Sequence, residues 1–158
     1  MKEKTEIFLV KIIAAIIIFL CCIEMSEGSD AIAELFARYN KKQAREFAKI
    51  VREVGEDFGI QPEVIASIIV VESGVRPWVI SKGGDYGLMQ VRYKVHRDKV
   101  KDASELLDPR TNIHVGTKIF AQYYAQKKTL RGALLRYSGG NKTMAERVLS
   151  ILKVFERR

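Results

Sequence analysis

The chain has 158 residues, 47% of them apolar and 29% charged. This length holds one domain with one core and excludes two ordinary domains, and the composition excludes a disordered chain. The net charge of +8 is uneven: residues 118–158 carry ten basic and two acidic residues, the whole of the excess. A basic C-terminal part suits an anionic partner such as nucleic acid, phospholipid headgroups or a polyanionic cell wall, or a solvated helix surface.

Twelve uninterrupted apolar residues run from Ile12 to Ile23, behind Lys2, Lys4 and Lys11 and ahead of Glu24, Glu27 and Asp30. That order leaves the N-terminus in the cytoplasm and exports the rest, to the periplasm or the cell exterior. Two readings of residues 1–25 stay open. One is a cleaved signal peptide; the other is a signal anchor in the inner membrane. The two cysteines, Cys21 and Cys22, lie inside this run, so the exported part has neither a disulfide nor a cysteine metal site. The histidines, His96 and His114, have no acidic cluster at metal-ligand spacing, so no metal or other cofactor is expected.

Residues 26–43 read as a linker or helix, and residues 44–158 as the main domain. Over 30–58, Ile32, Leu35, Phe36 and Tyr39, then Phe47, Ile50, Val51, Val54 and Phe58, recur at helical spacing. Gly59 stops the pattern and Pro62 opens a new helix, where its missing N–H costs nothing. That helix, Pro62–Ser73, is apolar nearly all round from Val64 to Val71 and is expected to be buried on every side. Glu72 therefore stands at the end of a buried helix. Apolar surroundings and the negative pole of the helix both favour its protonated form and raise its pKa, which suits a general acid. An ordinary residue at the edge of a core helix would occupy the same position.

Residues 74–90, GVRPWVISKGGDYGLMQ, read as a loop whose Trp78, Tyr86, Leu88 and Met89 line a pocket or pin the loop to the core. Asp108-Pro109 starts a helix over 109–126, with Ile113, Gly116, Ile119, Phe120 and Tyr123 on one face. A shorter helix spans Thr129–Tyr137, Ser138–Asn141 form a turn, and a last helix runs from Thr143 to about Glu156 with Met144, Val148, Ile151, Leu152 and Phe155 inward. Apart from a short piece within 91–101, no strand alternation is visible. The expected fold is mainly α.

Glu72-Ser73 after an apolar helix, Gly87-Leu88-Met89-Gln90, Leu107-Asp108-Pro109 with Asn112 and Gly116, and Ala133-Leu134-Leu135-Arg136-Tyr137 occur in this order. Over about residues 44–140 the chain thereby resembles the lytic transglycosylases with a soluble-type SLT domain, relatives of goose-type lysozyme. The resemblance implies a lysozyme-like α-helical domain with a substrate groove. It implies that Glu72 is the catalytic acid and that Ser73 helps to order the site. Gly87–Gln90 would floor the sugar groove with Met89 and Gln90 nearest the substrate, and the Tyr137 hydroxyl would approach the glutamate. Asn112 would be structural. Tyr86 joins Ser73, Met89, Gln90 and Tyr137 as an expected substrate-binding residue. Two departures stand out: Ser138-Gly139-Gly140 where the family usually has Asn-Ala-Gly, and Asp85 where it more often has a small residue.

The activity implied is non-hydrolytic cleavage of peptidoglycan strands between N-acetylmuramic acid and N-acetylglucosamine, giving 1,6-anhydro products. Asp85 keeps open a goose-lysozyme-like muramidase, in which it is the second carboxylate. An inactive glycan-binding factor in an envelope-spanning machine is the third reading. A nucleic-acid partner is not expected, since the chain has an export signal and no nucleic-acid motif.

Overall fold

The computed structural model describes residues 30–157. The segment read as a signal or anchor lies outside them. Two helices precede the apolar one: α1, Ala31–Ala37, and α2, Ala44–Phe58. Their periodicity is that of one buried stripe each. Ile32 and Phe36 of α1, and Phe47, Ile50, Val51 and Val54 of α2, enter the core. The Tyr39 ring, expected on the inner face, lies beyond the end of α1 and is exposed. The stretch 26–43 thus contains a helix with core residues.

Helix α3, Pro62–Ser73, begins at its proline and ends on the left-handed Gly74, whose N–H bonds to Val70 O. Residues 64–70 are all buried, including Ser67, whose hydroxyl donates to Glu63 O at 2.7 Å. This all-round burial follows from position: α3 packs against α2, α1 and the last helix, α7, Lys142–Glu156. A hydroxyl returned to its own helix backbone makes the one polar interruption tolerable there.

Helix α5, Pro109–Lys127, starts where Asp108 accepts a hydrogen bond from Thr111 N, and α6, Leu130–Tyr137, where Thr129 accepts from Gly132 N. Asn141 caps α7 through Met144 N. Each start matches the side-chain oxygen that can satisfy an orphan N–H. α5 packs against α2 and α6, and α6 against α7.

The loop expectation for 74–90 needs correction. Asp85–Tyr86 (β1) pairs antiparallel with Val91–Arg92 (β2), and Ile80 bridges to Tyr86. The short strand piece expected within 91–101 is limited to Val91–Arg92. A single-turn helix, α4, Tyr93–His96, and a 3-10 turn over Arg97–Lys99 fill most of the remainder. Two-residue strands have no alternation to read, and their pairing comes from the turn between them.

The fold is therefore mainly α, as expected, and the described helices form a unit beginning at Ala31. Among the described residues, no helix is long and apolar enough to cross a membrane.

Candidate active site

A half-open cavity of about 580 Å³ lies where the end of α3 meets the hairpin, α4, α5, α6 and the start of α7. Glu72, Asp85, Gln90, Arg92, His96, Tyr123, Arg136, Tyr137, Ser138 and Asn141 supply its polar wall, and Val91, Val95, Ile119 and Met144 its apolar one.

Glu72 enters this cavity from the last turn of α3. Among the described residues no hydrogen bond or ion pair holds its carboxyl. Burial raises its pKa to about 7, and the negative charge of Asp85 adds to the effect. The acid is thus half protonated near neutral pH, where a proton donor works best.

Asp85 shares the cavity under opposite constraints. Burial alone would raise its pKa, but Arg92 donates to it at 2.7 and 3.2 Å and the Ser81 hydroxyl donates at 2.8 Å. These bonds outweigh burial and hold the carboxyl below its ordinary range. Two carboxylates in one groove are therefore set apart, one inclined to keep its proton and the other ionised.

Gln90 brings the Gly87–Gln90 segment, the expected floor of the groove, to the cavity, and the shape of that segment is dictated by Asn112 of α5. The buried amide accepts from Met89 N at 2.7 Å and donates to Tyr86 O and Leu106 O, each at 2.8 Å. Gly87 has φ +73°, and a Cβ there would lie 2.4 Å from both Asn112 Nδ2 and Leu106 O. Only glycine meets both demands. At Gly116 a Cβ would lie 2.7 Å from Met89 Sδ, so the missing side chain of α5 is the seat of the methionine. Gln90 adopts φ +49°, and its Nε2 donates to Val79 O and Gly87 O at 3.1 and 2.9 Å. The side chain thereby holds the turn that it terminates.

Of the residues expected to contact substrate, Glu72, Gln90 and Tyr137 line the cavity, as does the possible second carboxylate Asp85. Met89 does not. Its side chain is 0% exposed, packed between Gly116 and Thr117, so the expectation that it lies nearest the substrate is corrected to a part of the floor's foundation. Ser73 is also buried, and its hydroxyl donates to Ile69 O at 3.1 Å, closing the last turn of α3 below Glu72. Tyr86 lies outside the cavity lining and packs edge-on against Tyr93. The other apolar loop residues divide the same way: Leu88 is buried, and Trp78 is 69% exposed outside the lining.

The Tyr137 hydroxyl, expected to approach the glutamate, donates to Met89 O at 2.8 Å and lies close enough to Glu72 to feel its charge. Burial, followed by the charge of Glu72, pushes the phenol pKa well above its ordinary value, so it remains a donor. The tyrosine ties α6 to the groove floor, and its ring packs edge-on to Phe120.

Sequence reasoning missed several cavity residues, Arg92, His96, Arg136 and Asn141 among them. Arg92 was invisible because its role is to neutralise Asp85 across a two-residue strand pair. Arg136 stacks over the Tyr123 ring at 5.4 Å, a contact between two helices that no spacing rule reaches. Asn141 lines the cavity just beyond the Ser138-Gly139-Gly140 turn. A carboxamide near the family's usual Asn position was the signal that could have found it.

Similarities to known proteins bear on this geometry. The chain is 38% identical to the endo-type membrane-bound lytic murein transglycosylase A of Citrobacter koseri, over 48% of this chain and 42% of that protein. It is 32% identical to the membrane-bound lytic murein transglycosylase C of Pectobacterium atrosepticum, over 53% of this chain and 26% of that protein. Among solved structures it is similar to the 70 kDa soluble lytic transglycosylase of Escherichia coli, with a TM-score of 0.48 and 26% identity, covering 75% of this chain and 18% of that one. The chain thus spans less than half the length of these relatives. Residues 49–150 match the family model of the transglycosylase SLT domain, a stretch that holds the buried helix, the groove floor and both carboxylates, and the chain belongs to that family.

Proposed function

We propose that this protein is a lytic transglycosylase that cleaves peptidoglycan strands between N-acetylmuramic acid and N-acetylglucosamine without consuming water. The observation that carries the reading is the pair of carboxyl groups in one cavity, Glu72 with its pKa near 7 and Asp85 held ionised.

Protonated Glu72 gives its proton to the glycosidic oxygen. The N-acetyl group of the muramoyl sugar stabilises positive charge at C1. Glu72, now a carboxylate, takes the proton of the C6 hydroxyl, and O6 closes on C1 to form the 1,6-anhydro ring. The acid returns to its starting state and no second carboxylate reacts. Asp85 acts from the side by favouring the proton on Glu72. Its engagement with Arg92 and Ser81 makes it a poor base, which weighs against the two-carboxylate hydrolase. Gln90, Tyr137 and Asn141 line the cavity, and the sugars would meet them there.

The relatives that carry "membrane-bound" in their names support a periplasmic enzyme held at the membrane through its N-terminal segment. Service to an envelope-spanning machine stays a reading of the export signal alone.

Mass spectrometry of muropeptides released from purified sacculi tests the reaction. Anhydromuramoyl ends are the expected product. Reducing ends would mean hydrolysis with Asp85 as base, and binding without release would mean a glycan-binding module.

A further inference from the structure

Asp85 and Arg92 face one another as a register pair of β1 and β2, and both line the cavity that holds Glu72. The arginine grips the carboxylate with two donors: Nε reaches Oδ1 at 2.7 Å and Nη2 reaches Oδ2 at 3.2 Å. Two donors on two oxygens is the fork geometry that guanidinium and carboxylate share. The Ser81 hydroxyl donates to Oδ2 as well, at 2.8 Å. Its proton is committed there, because its oxygen already accepts from Gly83 N and Asp85 N at 3.1 Å each.

The two holds are of different kinds. Ser81 belongs to the turn itself, its N–H donating to Asp85 O and its carbonyl accepting from Gly84 N. Arg92 reaches in from the neighbouring strand. Its side chain is 57% exposed against 19% for Asp85, so it lies on the solvent side of the pair and its exchange opens no core. Gly83 leaves room for the grip: a Cβ there would lie 3.3 Å from Asp85 Oδ2 and 3.7 Å from Arg92 Nη2. A carboxylate that activates water must accept a hydrogen bond from that water and then take its proton. With three donors on its oxygens, two of them from a cation, Asp85 has little basicity to offer.

We propose that Arg92 decides the fate of the cleaved bond: it is a positioning residue that, by occupying Asp85, withholds that carboxylate from water and leaves C1 to the C6 hydroxyl. The inference rests on the non-hydrolytic reading above and deepens it. Without Arg92, hydrolysis needs only Glu72, Asp85 and one water. Asp85 takes a proton from the water as its oxygen bonds to C1, the bond from C1 to the glycosidic oxygen breaks, and that oxygen takes the proton of Glu72. The products are a reducing muramoyl end and a free hydroxyl on N-acetylglucosamine, with one water consumed. Asp85 then returns a proton to solvent and Glu72 recovers one.

The ratio of reducing to anhydro ends released from purified sacculi by the full chain, read by mass spectrometry, tests it. Arg92→Met should raise that ratio at least about tenfold over the parent, below the roughly 10²–10⁴-fold that a well-placed general base supplies. Arg92→Lys, which keeps a charged donor, should stay near the parent. Adding Asp85→Asn to Arg92→Met should bring the ratio back to the parent's, a return that a merely structural role of Arg92 would not give. Where Arg92→Met does not fold, Arg92→Gln carries the same expectation. Anhydro ends alone from the folded variant overturn the assignment of Arg92 and leave the lyase reading intact. Reducing ends that persist in the double variant overturn it too, since water would then be activated elsewhere. Failure of both single variants to fold, or loss of all product from them, makes Arg92 part of the scaffold and ends the proposal. Reducing ends already dominant in the parent overturn the lyase reading, and this inference with it.

Discussion

The end of α3 and the β1–β2 hairpin each bring one carboxyl group to the same cavity, and they treat it in opposite ways. Glu72 stands at the apolar end of a core helix, and among the described residues no donor meets its oxygens. Asp85 sits on β1, where an arginine and a serine converge on it. The side chains have the same functional group. What differs is the depth of burial and the number of donors within reach, and together these hold a proton on one and keep it off the other. In the proposed reaction, this asymmetry lets Glu72 act as both acid and base while Asp85 stays a fixed charge.

The largest test of this contrast is Glu72→Gln, expected to lower turnover about 10³-fold, the range of a lost general acid. The corresponding Asp85→Asn enzyme should keep most of its turnover, and equal losses would make the pair a two-carboxylate site. Next comes the floor on which the contrast depends. Gly87→Ala should destabilise the fold by about 3 kcal/mol in chemical denaturation, from left-handed strain and the clash with Asn112 and Leu106 O. A loss below about 1 kcal/mol would mean that the floor yields.

Glu72 also makes stability depend on pH. Its folded pKa of about 7 lies above the ordinary 4.5. The proton therefore contributes stability that is fully present below about 4.5 and is lost as pH rises through about 7. Glu72→Gln should accordingly be more stable than the parent by about 1–3 kcal/mol at pH 8, with the gain shrinking toward pH 4. Thermal melts at the two pH values measure it.

The smallest effect is the most direct reading of the coupling between the carboxyl groups. Asp85→Asn removes the charge that helps keep the proton on Glu72. The midpoint of the alkaline fall in kcat/KM, expected near 7, should move to lower pH. An unmoved midpoint would leave burial as the sole cause.

Much of the helical scaffold is legible in the sequence because its signals are local. Pro62, Asp108-Pro109 and Gly59 mark boundaries by backbone chemistry within a few residues, and the apolar run of α3 announces burial on all sides. Glu72 follows from that run, since any residue closing it must lie at the edge of the core. The loop aromatics and Met89 misled because composition reports that a side chain is apolar, without saying whether it faces a groove or a core. Met89 lies beneath the floor only because Gly116, 27 positions later, leaves room for it.

The sequence by itself determined the helices, the buried helix with an acid at its end, and the order of motifs that marks the family, since each is written in neighbouring residues. Tertiary structure alone decided which side chains share the groove. It set Arg92 against Asp85 and turned Tyr137 to Met89 O. Those outcomes depend on distances between elements far apart in the chain, which no local propensity encodes.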